Sequence, residues 1–394
     1  MSALHAAPRL KSVADRLIAR TALTMANRPR PAGPGHGAPS GSGTRAVNIV
    51  MPAGEGSFGD QAMLLGTKEL AKRKRRTAAY WLYGPAPSLH RLGLAPIRDV
   101  EAAVTLASAR LNRHGRAALT AADLVVVGAD TIGGDYEHRS LAAKVEALNR
   151  AAAAGRAAKL VNSSVPASPT ALSVRILRSL DPGVEVWARD RPSQALLGEL
   201  LERPVRVAPD IGALLTPTSA PRRPVPHPSG YAVFVPNAHF HTHHGLDRAA
   251  LLAAWVRAVR LIGATVPVIV MPHETRPFPG DIAMAEDLAA GSGARLYRPA
   301  DAADAKALLA GAAICVSARL HACLGALSTG TPTLGLEYLD KFRGQFAWFG
   351  DRGRVLPFET TRDAERIAAE ADGLLRLDPG EAPEIDGWYD DSWL

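Results

Sequence analysis

The chain of 394 residues contains only two cysteines, Cys315 and Cys323, and 5% of its residues are aromatic. Two thiols in one apolar stretch cannot form the disulfide framework of a small secreted domain. They suit a reduced, cytosolic protein with buried thiols. No apolar run approaches the ~20 residues that a membrane-spanning helix needs. The first residues also lack the uninterrupted hydrophobic stretch of a secretory signal, so the expected location is cytoplasmic, with the inner face of the membrane as a variant. Strong charge of one sign is largely missing as well. The formal net charge is +8, and Arg9, Lys11, Arg16, Arg20, Arg28 and Arg30 against Asp15 place +5 of it in residues 1–44, leaving +3 for the rest of the chain. A body this mildly basic gives little support to genome binding. Lys72, Arg73, Lys74, Arg75 and Arg76 form one basic run, read as the last turn of a solvated helix, where cations meet the negative end of the dipole. No aromatic stacking platform interleaves with that run, so nucleic acid is not an expected partner.

What is present is a globular composition, 47% hydrophobic and 21% charged, in a chain too long for one ordinary core. Residues 1–44 are expected to be a basic, flexible N-terminal extension. Within it Leu10, Val13, Leu17, Ile18 and Met25 are spaced to line one face of a short helix, and weak peripheral membrane contact through residues 1–30 is an expectation. A frayed terminus is the competing reading. From Arg45 onward apolar runs alternate with helical periodicity. Strands are expected at Ala46–Met51, Thr77–Tyr83, Asp123–Val127, Ala158–Val161, Val184–Ala188 and Val205–Val207, with a helix from about Asp60 to Lys74. After a proline-dense stretch, strands resume at Tyr231–Val235, Val266–Met271, Arg295–Tyr297, Ile314–Ser317 and Thr333–Leu336. Helices are expected at Asp247–Ile262 and Asp363–Leu375.

Such alternation implies parallel strands joined by right-handed crossovers. The fold class expected is α/β, with two Rossmann-like doubly wound domains facing across a cleft. The expected division is 45–216 as an N-terminal domain on the acceptor side, 217–230 as a Pro-rich linker, 231–362 as a C-terminal domain on the donor side, and 363–394 as a terminal helix with an acidic, aromatic tail. In open α/β sheets ligands sit beyond the carboxyl ends of the strands, so functional residues are sought there.

Gly54, Gly56 and Gly59 satisfy G-x-G-x-x-G between a strand and a helix, the position of a dinucleotide fingerprint. Glycines there let the backbone approach an anion at a helix N-terminus. The acid that should end the next strand is missing from Tyr80-Trp81-Leu82-Tyr83-Gly84, which argues against a nicotinamide cofactor. A purely structural Gly-rich turn stays open.

Several blocks in order resemble the polysaccharide pyruvyl transferase family. Gly56-Ser57-Phe58-Gly59-Asp60 is similar to its G-N-x-G-D block, with Ser57 in place of Asn. Val125-Val126-Val127-Gly128-Ala129-Asp130 stands where the family has a strand and a glycine-rich turn, here eroded, with Gly133 and Gly134 further on. Trp187-Ala188-Arg189-Asp190-Arg191-Pro192-Ser193 matches an R-D-x-x-S block, and Pro209-Asp210 a P-D pair. Val316-Ser317-Ala318-Arg319-Leu320-His321-Ala322 resembles the S-x-R-L-H signature, followed by Gly330-Thr331-Pro332 and Tyr338-Leu339-Asp340-Lys341. The resemblance spans roughly Val47 to Phe346. It implies a glycosyltransferase-B-like architecture and transfer of the enolpyruvyl unit of phosphoenolpyruvate onto a sugar, as in cell-envelope polysaccharide biosynthesis. The implied partners are phosphoenolpyruvate and a glycan or lipid-linked sugar acceptor, with no cofactor and no metal.

That chemistry needs cations for a carboxylate and a phosphate, a general acid, and a base for the attacking hydroxyl. Under the resemblance, Arg319 is expected to clamp the donor and His321 to be the acid, imidazole titrating near neutral pH. The donor set expected is Arg189, Arg319, Leu320, His321, Lys341, Gly56, Gly59 and Asp60. Lys341 suits the departing phosphate, and His273 or Asp281 the acceptor hydroxyl. The competing reading pairs Arg319 with an acid such as Glu337 and leaves His321 to fill the core. His239, His241, His243 and His244 suggest metal, a glycan-contacting loop, or a plain surface loop. No Cys or acid at familiar ligand spacing accompanies them. A nucleotide-sugar-dependent glycosyltransferase and a non-catalytic anion- or glycan-binding protein are the alternative functions.

Overall fold

The structure is a computed structural model. It describes residues 46–52, 56–82, 97–99, 104–105, 110–130, 132, 138–225, 230–278, 280–338, 341–377, 381–390 and 392–394. The basic tail, Gly54, Gly133, Gly134, Leu339 and Asp340 lie outside the described residues. The chain divides into two compact units. Unit 1 comprises the chain up to Glu55, Leu70–Pro209 and Tyr389–Leu394, and unit 2 comprises Gly56–Glu69 and Asp210–Trp388.

Unit 1 is built on a seven-stranded sheet of β1 (Ala46–Val50), β2 (Thr77–Leu82), β3 (Ile97–Asp99), β6 (Asp123–Ala129), β7 (Ala158–Ser163), β8 (Glu185–Ala188) and β9 (Arg206–Val207). The spatial order is β3-β2-β1-β6-β7-β8-β9, and all pairings are parallel. A separate antiparallel ribbon joins β4 (Val104–Thr105) to β5 (Arg110–Leu111). Parallel strands covered on both faces read as continuous apolar runs, and Leu124, Val125, Val126 and Val127 are each at most 1% exposed. Leu124 and Val126 pack under Leu141, Val145 and Leu148 of the helix His138–Ala153. Asn48 is a buried polar residue of β1 and is satisfied on both sides: its Nδ2 donates to the Ala118 carbonyl (3.1 Å), and its Oδ1 accepts from Trp81 Nε1 (3.0 Å).

Unit 2 carries a six-stranded parallel sheet of β10 (Ala232–Val235), β11 (Val268–Val270), β12 (Arg295–Leu296), β13 (Ile314–Ser317), β14 (Thr333–Leu336) and β15 (Gly353–Leu356), ordered β12-β11-β10-β13-β14-β15. In both sheets the chain runs outward one way and then crosses back to the other side, the Rossmann-like order. In unit 2 this switch point falls between β10 and β13. One face packs Phe234, Val270, Val316 and Leu334 against Trp255 and Ile262 of the helix Arg248–Gly263 and against Ile367 and Leu374 of the helix Ala364–Leu375. Trp255 is fully enclosed and donates its Nε1 proton to the Thr361 carbonyl (2.8 Å).

The stretch 217–230, expected as a linker, belongs largely to unit 2, and the division falls between Pro209 and Asp210. Hydrogen bonds fasten it there: the Thr218 N–H donates to the Ala303 carbonyl (3.2 Å), and the Arg222 N–H to Asp304 Oδ1 (2.7 Å). Leu215 joins a core cluster with Phe58, Tyr231 and Val233. The same cluster holds the start of the helix Phe58–Arg73, where Gln61 Oε1 accepts the Ala302 N–H (3.0 Å). That helix meets the 3-10 turn Ile211–Leu214 very closely. A Cβ on Gly66 would lie 2.1 Å from the Ile211 carbonyl oxygen, so only glycine permits the approach. The chain end is part of unit 1, where Tyr389 Oη donates to the Pro209 carbonyl (3.1 Å) and Trp393 is 1% exposed.

Candidate functional site

The carboxyl ends of β10, β11, β13 and β14 release, in turn, Asn237 and His239, His273, Arg319 and His321, and Tyr338 with Lys341. After Ser317 the chain does not continue as strand. Arg319 is the N-cap residue of the helix Leu320–Leu327, so the R-L-H run crosses from sheet to helix at the switch point. Ser317 Oγ fixes this corner, accepting the Arg319 N–H and donating to the Arg319 carbonyl, both at 2.9 Å.

Arg319 pairs with Asp281 and not with Glu337. Its Nε and Nη2 each lie 2.7 Å from a separate carboxylate oxygen. The arginine side chain is 13% exposed and Asp281 is fully buried. Asp281 Oδ1 also accepts the Ala238 N–H (2.9 Å), which ties the end of β10 to the first residue of the helix Asp281–Ser292. A carboxylate engaged in this way has no basic edge turned to solvent, so Asp281 serves to hold Arg319 rather than to take a proton from an acceptor hydroxyl. Arg319 has five N–H donors, and this side-on pairing uses two of them.

His321 is one-fifth exposed, and its Nε2 is buried without a hydrogen bond. The nearest partner of Nε2 is Asp210 Oδ2 at 3.4 Å, an ion pair when the ring is protonated. Gly59 lies against the opposite side of the ring, where a Cβ would sit 2.4 Å from Nδ1. The segment bearing Gly59 is clamped in place. The Phe58 N–H donates to the His273 carbonyl (3.3 Å), and the Gly56 carbonyl accepts from the Thr275 N–H (2.7 Å) and Oγ1 (2.8 Å). Ser57 Oγ accepts the Asp60 N–H (3.3 Å) and so caps the helix. Ser and Asn cap about equally well, so this departure from the family block is conservative at that end of the helix.

The remaining expected residues fall into separate places. His273 is 6% exposed, and burial, then the neighbouring charges of His321 and Arg319, push its pKa down to about 3. It is therefore a neutral ring, packed edge-to-face on Phe58. Lys341 starts the helix Lys341–Phe346 with its ammonium 5.2 Å from the centre of the Tyr338 ring. Asp60 is half-buried in the first turn of its helix. Leu320 turns its side chain into a core cluster with Phe342 and Phe346, so only its backbone faces the corner. Arg189, in unit 1, is 1% exposed and donates to Ser164 Oγ (2.7 Å), whose own proton goes to Asp190 (2.7 Å). Asp190 in turn caps the helix Arg191–Leu201 through the Ser193 N–H (2.8 Å). The R-D-x-x-S block thus has a local structural use.

Sequence reasoning gave no role to Glu274, Arg276 or Lys306, and named His239 only within a histidine-rich loop and Tyr338 only within a family block. Arg276 is about half exposed and reaches back to a buried Glu274 through Nε (2.9 Å) and Nη2 (2.6 Å). The ring of His239 stacks near that of Tyr338, with centroids 6.2 Å apart. Burial, then the charges of Arg319, His243, Lys341 and Arg276, push its pKa down to about 3. The Nδ1 atoms of His239 and His243 are 2.6 Å apart, so one ring must be a neutral acceptor. Among the described residues, no group of three or more His, Cys, Asp or Glu is placed to hold a metal ion. Lys306 is 4% exposed, donates to the Ala213 carbonyl (2.8 Å), and lines a recess together with Phe58, His273 and His321. Only its position five residues into an apolar helical run hints at this from sequence.

Arg319, His321 and His273 thus meet at the carboxyl ends of the strands of the unit 2 sheet. The chain belongs to the polysaccharide pyruvyl transferase family: the sequence model of that family matches residues 58–340. Membership supports transfer of a pyruvyl group onto polysaccharide. No curated protein matches the chain. Among solved structures, a Listeria monocytogenes protein assigned as a UDP-N-acetylglucosamine 2-epimerase is similar at TM-score 0.60 and 13% identity, over 86% of this chain and 92% of that one. MnaA of S. aureus, solved with UDP, is similar at TM-score 0.58 and 12% identity, over 88% and 94%. Anabaena HepE, solved with UDP-glucose, is similar at TM-score 0.54 and 11% identity, over 88% and 96%. At such identities the likeness establishes a shared glycosyltransferase-B-like fold. Among the described residues no helix is long and apolar enough to cross a membrane.

Proposed function

We propose that the chain transfers the pyruvyl group of phosphoenolpyruvate onto a sugar of a polysaccharide or lipid-linked glycan, forming a ketal and releasing phosphate. The observation that carries this reading is the buried, side-on Arg319–Asp281 pair beside His321 at the sheet's switch point. A guanidinium held rigidly by one carboxylate presents its other edge to a second anion in a fixed plane, which a mobile lysine cannot do.

In the reaction proposed, His321 protonates the methylene carbon of the donor. The π electron pair forms the new C–H bond, and the adjacent carbon becomes electrophilic. One sugar hydroxyl bonds to that carbon and gives up its proton, which restores the acid. A second hydroxyl then displaces the phosphate, whose C–O bond breaks and which leaves carrying the second hydroxyl's proton. One hydroxyl proton is thus conserved in the product methyl group and the other leaves on phosphate. Arg319 holds the donor, and Arg276 and Lys341 supply positive charge for the leaving phosphate. His273, a neutral ring lining the same recess as His321, is proposed as the base that takes the first hydroxyl's proton and passes it on to restore His321. No resident metal or redox cofactor takes part in this scheme.

Incubating the full chain with phosphoenolpyruvate and candidate glycans, and following phosphorus and carbon NMR, tests the reading. Phosphate release with a new ketal methyl signal is expected, and both should be lost in His321→Gln. The nucleotide-sugar alternative draws on structural neighbours solved with UDP and UDP-glucose. Consumption of a UDP-sugar, with phosphoenolpyruvate untouched, would establish that alternative instead.

A further inference from the structure

We infer that His321 works through Nδ1, and that Asp210 is the positioning residue that keeps the ring's other proton on Nε2. The inference deepens the proposed function and rests on it for the identity of the acid, but the arrangement itself can be read in the resting protein.

The two ring nitrogens stand in opposite surroundings. Nε2 has no contact with solvent and no hydrogen bond, and what faces it is Asp210 Oδ2 at 3.4 Å. Asp210 is itself fully buried, and its Oδ1 accepts the Gly212 N–H (2.8 Å) at the start of the turn Ile211–Leu214. The carboxylate is therefore fixed with its second oxygen toward the ring. An anionic acceptor beside Nε2 favours the neutral tautomer that carries hydrogen there. The lone pair of the neutral ring then lies on Nδ1. Because Nε2 is sealed, the one-fifth exposure of His321 belongs to other atoms of its side chain. Gly59, which has no side chain, leaves Nδ1 its space, since a Cβ there would stand only 2.4 Å away. A buried acid behind the ring and a glycine in front of it orient the imidazole toward a single reacting edge. Once protonated, His321 loses its Nδ1 proton to the substrate, and the N–H bond electrons return to Nδ1 as the lone pair of the Nε2–H tautomer.

Asp210→Asn isolates the effect. The amide oxygen can still accept the Gly212 N–H and keep the turn, while an NH2 replaces the oxygen that faces His321. An NH2 there donates to Nε2, so hydrogen must move to Nδ1. Proteins labelled with nitrogen-15 in the histidine rings, with the His321 signals assigned by their loss in His321→Gln, report the tautomer directly. The wild type is expected to show Nε2–H at a pH where the ring is neutral, and Asp210→Asn is expected to show Nδ1–H with unchanged circular dichroism. In the transfer assay that variant should lose kcat far more than affinity for phosphoenolpyruvate, and Asp210→Glu should restore part of it. A wild-type ring with hydrogen on Nδ1, or a tautomer unmoved by Asp210→Asn, would overturn the inference. The tautomer is measured without substrate, so a failure of the proposed reaction is a separate result.

Discussion

Asp281 grips Arg319 side-on, with both contacts at 2.7 Å and the carboxylate fully buried. Two roles meet in that carboxylate, because it accepts the Ala238 N–H that closes the end of β10 onto the helix Asp281–Ser292 and also sets the plane of the guanidinium. Removing one partner leaves a buried charge uncompensated, at a cost of about 3–5 kcal/mol, whereas replacing both with apolar groups is often near neutral. Asp281→Ala should therefore lower unfolding free energy in urea by about that amount. The double variant Arg319→Met with Asp281→Leu should recover most of it while transfer stays lost. Recovery of activity with stability would show the pair to be structural only.

Gly59→Ala separates site from scaffold in a different way. Alanine gains up to ~1 kcal/mol of helix propensity at this position, and overpacking costs about 1–3 kcal/mol. The net change in stability should thus be small. The displaced atom is His321 Nδ1, so transfer should fall by roughly a hundredfold or more. A thermal melt beside an activity assay checks both halves, and an active Gly59→Ala would place the reacting edge elsewhere.

Lys306 predicts an uncommon pH dependence. Burial pushes its pKa from 10.5 down to about 7. Between about pH 7 and 10.5 the unfolded chain holds a proton that the folded chain does not, so stability rises with pH through that window. Below about pH 7 the full penalty of the buried charge is present. Lys306→Met should be more stable than the wild type near neutral pH, by a margin that shrinks toward pH 10. Denaturation midpoints at the two pH values decide this, and a margin independent of pH would refute it.

Ala129 adopts φ 51°, a left-handed conformation, at the carboxyl end of β6. For a residue with a Cβ this costs roughly 1–2 kcal/mol, less the extra chain entropy that glycine would bring. Ala129→Gly should accordingly be neutral or stabilising by up to about 1 kcal/mol, measured by chemical denaturation. A clear loss of stability would mean that the alanine methyl, 3% exposed, packs well enough to outweigh its backbone strain.

Much of the fold is legible in the residues alone, because buried parallel strands are unbroken apolar runs. Ile314–Ser317 and Thr333–Leu336 fall as expected to the residue. The strands Ile97–Asp99 and Gly353–Leu356 escape notice because they are sheet edges, short and partly polar. The site is legible only where a motif carries it. Arg319 and His321 stand out, as do Asp281 as a candidate base and Asp210 in the P-D pair, but the pairing of each acid with its basic partner does not. Asp281 lies 38 residues before Arg319, and Asp210 far earlier still, and nothing in local spacing reports a pairing made by tertiary structure. Arg189, a motif arginine at a strand end, donates to Ser164 within unit 1, a contact that local spacing does not report either.

The most direct test of the account is calorimetric titration of the full chain with phosphoenolpyruvate. Saturable binding is expected in the wild type, with affinity weakened at least ~10-fold in Arg319→Gln, about 1.4 kcal/mol for the loss of a charge-assisted contact. Absence of binding to phosphoenolpyruvate, with saturable binding of a UDP-sugar that survives Arg319→Gln, would contradict it.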